Sequence, residues 1–245
     1  MWRPFLKTVA IVQSSYIPWK GYFDLIRRVD EFILYDDVQY TRRDWRNRNR
    51  IKSPNGPLWL TIPVEVKGRY LQAIKDTKIS DRRWNERHWN SIRASYARAP
   101  YYGAYKAVLE DLYLGCESAS LSEVNFRFLS RLCALLSIGT RLSWSMDYAN
   151  AETGTTERLV ALCRLAGATE YVSGPSARSY IDPALFADAG IVLTFMNYDG
   201  YPEYGQLYPP FDHQVSIIDL LVHTGPDAVA HLLPRPARSL LEPTA

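Results

Sequence analysis

The sequence predicts an α/β fold, with a mainly parallel sheet flanked by helices and a helical insertion or cap in the middle of the chain. Short apolar runs rich in β-branched residues, at 8–12 and 31–35, indicate buried strands. Stretches with helical spacing follow them, and strands that alternate with helices are typical of parallel α/β sheets. The composition, 47% hydrophobic and 22% charged, is that of an ordinary globular protein.

The elements predicted in the first quarter of the chain each have their own signal. The runs TVAIV and EFILY are short and apolar, as expected of buried strands. Between them, Tyr22, Leu25 and Ile26 share one face of a helix. The run LWLTIPV follows a turn that contains Pro and Gly, which predicts a further strand. In chain order, these elements are a strand at 8–12, a helix through 21–26, and strands at 31–35 and 58–64.

The rest of the chain begins with helical spacing. Trp89, Ile92 and Tyr96 share a face, and Pro100 interrupts the helix. Further on, RLSWSMDY alternates like a strand, Thr155 is the expected N-cap of a later helix, and Gly167 lies beyond the end of that helix. The predicted elements are helices at 84–114 and 121–136, a strand at 141–148, a helix at 155–166, strands at 170–173 and 191–196, and a helix at 216–222.

The domain organisation predicted from these elements is simple. Residues 1–233 are expected to form a single α/β domain with the helical insertion at about 80–137. The tail 234–245 (PRPARSLLEPTA) is proline-rich and is expected to be disordered.

Cysteine usage and hydropathy predict a soluble, cytoplasmic protein. Cys116, Cys133 and Cys163 show no CxxC spacing, which argues against a disulfide framework and a structural zinc site. The first residues lack a signal peptide, and no window approaches the roughly 18 apolar residues of a membrane helix. The net charge of +3 does not by itself indicate nucleic-acid binding.

A polar turn, QSSYIP, follows the first strand. Ligands of parallel α/β sheets bind beyond the carboxyl ends of strands, where helix N-termini offer free N–H groups. This position makes Gln13 and Tyr16 candidate substrate-binding residues. An ordinary strand-to-helix turn with Pro18 near the helix start explains the same residues, so both interpretations stay open.

The segment 36–52 (DDVQYTRRDWRNRNRIK) is dense in positive charge. One acid, Asp44, stands among the cations Arg42, Arg43, Arg46, Arg48, Arg50 and Lys52. Arginine suits bidentate binding of phosphate or carboxylate, because its planar fork matches two oxygens. A solvated charged face is the alternative, although Tyr40 and Trp45 interrupt the run. We predict an arginine-rich loop that faces a pocket.

Two acids and one histidine are the candidate catalytic residues. Asp36 and Asp37 end the second strand, and adjacent strand residues point to opposite faces, so one of them can face a given site. One carboxylate would act as a general base or position the substrate. His88 is a candidate base, with a partly buried helix histidine as the alternative. No HxxxH or HExxH spacing occurs, and no metal site is predicted.

A second polar turn ends the strand at 170–173. In YVSGPSARSY, amides and hydroxyls near Ser173 and Gly174 would cradle a phosphate or a hydroxyl-rich ligand, or would form a plain turn. The chain has no Walker GxxxxGK[ST] pattern, no GxGxxG and no GxSxG. These absences argue against P-loop, dinucleotide-binding and α/β-hydrolase enzymes.

The motifs QSSYIPWKGYFDLI, DDVQYTRRDWRNRNRIKSPNGPLWLTIPV, YVSGPSARSY, PEYGQLYPPF and SIIDLL together resemble the WbqC-like protein family. The resemblance covers nearly the whole chain. It implies elaboration of nucleotide-linked amino sugars in O-antigen and other polysaccharide biosynthesis, by addition of an amino-acid group such as glycine to the sugar amine. Where family members begin the first motif with His-Gln-Pro, this chain has Val12-Gln13-Ser14.

A looser analogy concerns the layout of the elements. The strand–turn–helix start, the acidic second strand and the late Ser-Gly turn are similar to HUP-type nucleotidyltransferases and ATP-dependent ligases, although the HxGH signature is absent. The expected layout is therefore Rossmann/HUP-like. ATP with Mg²⁺ is the candidate cofactor that this analogy suggests.

The functional hypothesis is a transferase or amide ligase with a nucleotide sugar as its phosphorylated substrate. Arg43, Arg46 and Arg48 would neutralise the diphosphate, and Tyr16 and Trp19 would wall the pocket. The alternatives are a nucleic-acid-binding or DNA-modifying protein, which the modest charge disfavours, and a non-catalytic carbohydrate-binding partner. The full set of predicted substrate-binding residues is Gln13, Tyr16, Trp19, Tyr22, Gln39, Tyr40, Arg43, Trp45, Arg46, Asn47, Arg48, Ser173, Gly174 and Tyr180.

Overall fold

A computed structural model of the protein describes residues 6–234, so all but the first residue of the predicted tail lies outside the described residues. The strands are β1 (Thr8–Val12), β2 (Glu31–Leu34), β3 (Arg48–Ser53), β4 (Gly56–Thr61), β5 (Arg141–Trp144), β6 (Glu170–Ser173) and β7 (Val192–Phe195). The α-helices are α1 (Lys20–Arg28), α2 (Trp84–Tyr96), α3 (Tyr102–Leu114), α4 (Leu121–Leu135), α5 (Thr155–Leu165), α6 (Pro183–Asp188) and α7 (Ile217–Thr224).

Five strands form a parallel sheet in the order β5-β2-β1-β6-β7, which confirms the predicted α/β class. Counted in chain order within this sheet, the strands run 3-2-1-4-5, as in Rossmann-type sheets. The direction of winding reverses between β1 and β6. The carboxyl ends of strands beside such a switch point are where ligands of open α/β sheets bind.

Alternating side chains of the inner strands explain why helices cover both faces of the sheet. Val9 and Ile11 point to the face that packs against α5 and α6, where Leu159 and Phe186 are buried. Ala10 points to the opposite face, which packs against α1, α7 and the helical middle segment. A strand flanked by helices on both sides is apolar on both faces, as TVAIV is.

The helical middle segment comprises α2, α3 and α4, as the periodicity predicted. Trp84, Trp89 and Tyr96 on α2 are almost fully buried. They belong to the same core cluster as Phe128 on α4 and Phe32 on β2. Aromatic burial of this kind supplies much of the packing energy in a core. None of the helices in residues 6–234 is long and apolar enough to pass through a lipid bilayer.

The arginine-rich segment differs from the predicted loop, because its last part, from Arg48 onward, belongs to strand β3. β3 pairs antiparallel with β4 and forms a two-stranded hairpin outside the parallel sheet. The strand predicted at 58–64 overlaps the second strand of this hairpin, which begins at Gly56 and ends at Thr61. Gly56 has φ +98 directly after the turn, a conformation that favours glycine. Alternation along β3 buries Asn49 and Ile51 and leaves Arg48 and Arg50 partly exposed.

Three smaller differences concern the ends of two elements and one additional short helix. The strand predicted at 141–148 stops at Trp144, and a 3-10 turn at Ser145–Asp147 follows. Thr155 is the first residue of α5 and not its N-cap, since Gly154 holds that position. The short helix α6 was not predicted; Asp182 caps it by accepting the Ala184 N–H at 2.9 Å.

Candidate functional site

A cleft of about 750 Å³ lies at the carboxyl end of β1, beside the switch point of the sheet. Three segments form its walls. The segment from β1 into α1 contributes Val12, Ser15, Pro18, Trp19 and Tyr22. The approach to the β3–β4 hairpin and the hairpin itself contribute Trp45, Arg46 and Asn49. The irregular segment 198–214 between β7 and α7, called the strap below, contributes Tyr198, Asp199, Gly200, Tyr201, His213 and Gln214.

Trp19 is fixed at the junction of two walls. Its ring centroid lies 5.2 Å from that of Tyr198 and 5.7 Å from that of Tyr201, both in edge-on arrangements. A Cβ at Gly21 would fall 2.3 Å from the indole, so glycine at this position makes room for the ring. The Tyr22 hydroxyl donates to the carbonyl of Gln13 at 2.9 Å. These contacts give the cleft a rigid aromatic wall.

Among the arginines of the cationic segment, Arg46 lines the cleft. It is only 8% exposed, and its Nη1 donates to the carbonyl of Gln13 at 2.9 Å. Its Nε lies 3.8 Å from Asp44 Oδ2, too far for a hydrogen bond. The guanidinium is thus positioned by one backbone contact, and a partly desolvated guanidinium is a strong donor to an anion.

The other cations of the segment, which include the predicted phosphate-binding residues Arg43 and Arg48, are not among the residues that line the cleft. Arg43 is exposed, and its carbonyl accepts from the Arg48 guanidinium. Arg48 lies over the ring of Trp59, 4.3 Å from its centroid. Lys52 is buried elsewhere, with its ammonium bound to Gln206 Oε1 at 3.0 Å and to the carbonyl of Pro210.

A buried carboxylate anchors the strap to α7. Asp219 is fully buried and accepts from the hydroxyls of Tyr96 and Tyr204, each at 2.8 Å. It also accepts from Gln206 Nε2 at 2.9 Å. Tyr204 and Gln206 belong to the strap, so the position of this wall depends on a network rooted in the core.

A buried lysine lies beneath the strap at the start of α1. Lys20 Nζ donates to the carbonyl of Pro202 at 2.9 Å and lies 5.0 Å from the ring centroid of Tyr201. Burial lowers the pKa of Lys20 to about 8. Burial, and then the charge of Lys20, lower the pKa of His213. Both effects favour the neutral form of the His213 ring, which has a nitrogen that can accept a hydrogen bond or a proton in the cleft.

Asp36 was predicted as a catalytic residue, and it is buried behind the residues that line the cleft. It is fully buried, accepts the Ser14 N–H at 2.9 Å, and accepts a hydrogen bond from the Ser122 hydroxyl. Burial raises the pKa of the Asp36 carboxyl, and these hydrogen bonds partly offset that rise. Its contacts join the end of β2 to the loop after β1 and to α4, so it organises the floor of the site.

Asp37 also lies outside the cleft lining, because its partners hold it against the start of α5. Its Oδ1 accepts from the Ser145 hydroxyl and its Oδ2 from Arg158 Nη2, both at 2.7 Å. Neighbouring strand-end residues point to different sides, and Asp36 and Asp37 do so here.

His88 and Tyr16 meet in the helical core and not in the cleft. The Thr61 carbonyl, 3.2 Å from Nε2, can only accept, so this nitrogen carries the proton. Nδ1 lies 2.9 Å from the Tyr16 hydroxyl. Tyr16 is fully buried and packs edge-on against Trp84. Burial lowers the pKa of His88 to about 4, which leaves the ring neutral in the folded protein.

The remaining predicted substrate-binding residues do not line the cleft. Gln39 is exposed and donates to the Tyr70 carbonyl at 3.0 Å. Asn47 is buried and donates to the Ile62 carbonyl at 2.7 Å. The others, none of which is among the lining residues, are Gln13, Tyr40, Ser173, Gly174 and Tyr180. Of the predicted substrate-binding residues, the cleft brings together Trp19, Tyr22, Trp45 and Arg46.

The strap was the main part of the site that sequence reasoning missed. Tyr198, Asp199, Tyr201 and His213 line the cleft, yet no role was predicted for them. The one available signal was the aromatic density of the run YDGYPEYGQLYPPF in a segment without regular periodicity.

The acidic, histidine and cysteine side chains are dispersed. Within residues 6–234, no group of three or more of these residue types is close enough to hold a metal ion.

Comparison with known proteins gives a family and one relative. The chain matches the WbqC-like protein family over residues 13–231. It is 51% identical over 227 residues to "Uncharacterized protein Rv1507c" of Mycobacterium tuberculosis (strain ATCC 25618 / H37Rv). The aligned region covers 93% of this chain and 98% of that protein. No solved structure gives a significant match.

Proposed function

The chain belongs to the WbqC-like protein family, and on this premise we propose that it is an enzyme that acts on a nucleotide-activated amino sugar or a related amine. In this proposal it transfers or ligates an amino-acid or acyl group to the amine. The observation that carries the proposal is the aromatic cleft with Arg46 in its wall, at the carboxyl edge of the parallel sheet.

The size and lining of the cleft suit a sugar. Its volume of about 750 Å³ lies within the usual range of small-molecule sites. Trp19, Trp45, Tyr198 and Tyr201 offer flat apolar faces with polar tips, a combination that can pack against a sugar ring while bonding its hydroxyls. Ser15 and Asn49 add hydrogen-bonding groups to the same walls.

Arg46 supplies the contact for a phosphate. A guanidinium held by one backbone carbonyl retains further N–H donors, and phosphate accepts two of them at once. Because the group is 8% exposed, water screens its interaction less than it would at the surface. The neutral ring of His213 would take the proton that the amine loses.

The proposed step forms one amide bond. The amine nitrogen attacks the acyl carbon of an activated donor, the donor's leaving group departs with its electron pair, and His213 accepts the proton. Positioning of the two reactants would supply most of the acceleration. If ATP with Mg²⁺ activates the donor, Asp199 is the lining carboxylate for the ion, since such sites use one or two carboxylates with phosphate oxygens.

The test pairs binding with turnover. Purified protein would be titrated with a dTDP-amino sugar by calorimetry, then incubated with that sugar, glycine and ATP, or with a preactivated acyl donor. We expect binding and a product heavier by one acyl group. Absence of both nucleotide-sugar binding and any mass change with either donor would refute the proposal.

A non-catalytic carbohydrate-binding protein is the second candidate. It is favoured by the positions of Asp36, Asp37 and His88, which all lie outside the cleft lining. His213→Asn separates the two functions. An enzyme would keep its affinity for the nucleotide sugar and lose product, whereas a binding protein would show affinity without product in both forms.

A further inference from the structure

A ridge of aromatic and guanidinium groups borders the cleft on the hairpin. The ridge comprises Trp45, Trp59, Arg48 and Arg50. Trp45 and Trp59 are 41% and 42% exposed, and their ring centroids lie 5.6 Å apart at an interplanar angle of 32°. The guanidinium carbons of Arg48 and Arg50 lie 4.3 Å and 5.7 Å from the centroid of Trp59.

The register of the hairpin builds this surface. Arg50 is paired with Trp59 across the strands, and Arg48 precedes it on the same face of β3. The intervening Asn49 points inward and lines the cleft. Trp45 belongs to the ridge and also to the cleft lining, so the two surfaces are continuous.

The arginines of the ridge are held in place. Arg48 donates to the carbonyl of Arg43, and Arg50 donates to Gln214 Oε1 at 3.0 Å. Arg50 also lies 3.8 Å from Asp212, so it joins the ridge to the strap. Side chains fixed in this way lose less conformational freedom when a ligand binds.

Exposed tryptophans beside fixed arginines select a particular ligand chemistry. Large aromatic side chains on a surface mark binding sites, and flat bases stack on them. Arg48 and Arg50 lie against the Trp59 ring and Arg46 lies in the adjoining cleft wall, and these positive charges favour an anion. A base that carries phosphates satisfies both features. A single pair of rings offers one stacking platform, whereas a polynucleotide would need several.

We infer that the ridge is the base subsite of the nucleotide-linked substrate. The base stacks against the partly exposed Trp45–Trp59 pair, the diphosphate crosses Arg46, and the sugar enters the cleft. The inference rests on the proposed function and adds an orientation of the substrate to it. Trp59, which does not line the cleft, becomes a residue that determines affinity.

The experiment compares three ligands on four proteins. Calorimetry would measure dTDP, a dTDP-amino sugar and the matching amino-sugar 1-phosphate against the natural chain, Trp59→Leu, Trp59→Tyr and the control Tyr70→Leu. Tyr70 is 73% exposed and lies outside both surfaces. We expect Trp59→Leu to weaken both dTDP ligands about tenfold or more, because one stacking contact is lost. The sugar phosphate should be unaffected, and Trp59→Tyr should recover most of the affinity.

The outcomes separate this inference from the proposed function. Equal affinity of Trp59→Leu and the natural chain for dTDP overturns the base subsite and leaves the proposed function standing. A Trp59 effect on dTDP without tighter binding of the dTDP-amino sugar supports the subsite and counts against the proposed substrate. A further titration of the natural chain uses single-stranded oligothymidylate, and much tighter binding of it than of dTDP overturns the small-nucleotide occupant. Absence of binding by all three ligands overturns both proposals.

Discussion

Arg46 differs from the other arginines of its segment in the environment of its guanidinium. It lies almost buried in the cleft wall, whereas Arg42 donates to the Val66 carbonyl at an exposed position. Buried and exposed guanidinium groups carry the same charge but are screened differently by water. The density of charge in the sequence therefore does not show which arginine lines the cleft.

Replacing Arg46 by Gln should weaken nucleotide-sugar binding about 10- to 100-fold, the cost of losing charge-assisted hydrogen bonds to phosphate. Calorimetry would measure the dissociation constant, and thermal melting would verify the fold, because Arg46 also holds the Gln13 carbonyl. Arg83→Gln is the matched control, since that side chain is 81% exposed. Equal losses in both variants would point to bulk charge and not to a site.

His88 should make stability depend on pH. Its pKa is lowered to about 4 from the ordinary 6.5, so the unfolded chain takes up a proton in this window and the folded protein does not. Its contribution to the free energy of unfolding is full above pH 6.5 and is lost as the pH falls through about 4. The loss is up to about 3 kcal/mol.

The measurement is urea unfolding of the natural chain and of His88→Gln at pH 7 and pH 4.5. Other groups titrate in both proteins, so the difference between their pH dependences isolates His88. The variant should show the shallower decline in unfolding free energy. Parallel curves would show that the histidine is protonated in the folded state.

At the scale of elements, the strap depends on groups outside itself. Asp219 on α7 binds Tyr204 and Gln206, and Lys20 on α1 binds the Pro202 carbonyl. The start of α7 is tied in turn to the other walls, through Ser216 N–H to the Arg50 carbonyl at 2.8 Å. The cleft is therefore assembled by tertiary contacts from three separate parts of the chain.

Replacing Asp219 by Ala should loosen the strap and lower stability by about 3 kcal/mol or more, because several buried donors lose their acceptor. Hydrogen exchange should show faster exchange across 198–214, with smaller changes in β1 and β2. The milder variant Tyr204→Phe removes one donor and should show a smaller effect in the same direction. Unchanged protection of the strap in both variants would contradict the anchoring role of Asp219.

The hairpin shows why one element was misassigned. Asparagine is a weak strand signal, and the charges of RNRIKS obscure its alternation, so the sequence predicts a loop there. The run LWLTIPV is predicted to be a buried strand, yet Leu58 and Trp59 are exposed. The pairing depends on a turn ending at Gly56 and on contacts with α2 and α7, which local pattern does not reveal.

At the scale of the whole molecule, burial in the core determines how reactive the cysteine thiols are. Cys116, Cys133 and Cys163 are free and buried. Burial raises the pKa of Cys133 and of Cys163 to about 12, which suppresses the reactive thiolate.

A thiol reagent such as DTNB should therefore label the folded protein slowly, at a rate set by unfolding, and should label all three cysteines promptly in urea. Absorbance of the released product would follow the reaction. Fast labelling of one thiol without denaturant would reveal local opening around it.

The sequence by itself determined the α/β class, most of the helices and strands of the parallel sheet, and the family. Periodicity and apolar runs report which face of an element is buried, and long motifs such as DDVQYTRRDWRNRNRI are specific. Only the tertiary structure decided which polar residues share a cleft. Asp36, His88 and Tyr16 have the chemistry of an active site, but burial and satisfied hydrogen bonds give them structural contacts. The composition of the site depends on which distant segments of the chain come together in the folded protein. The residue types in each segment do not specify that arrangement.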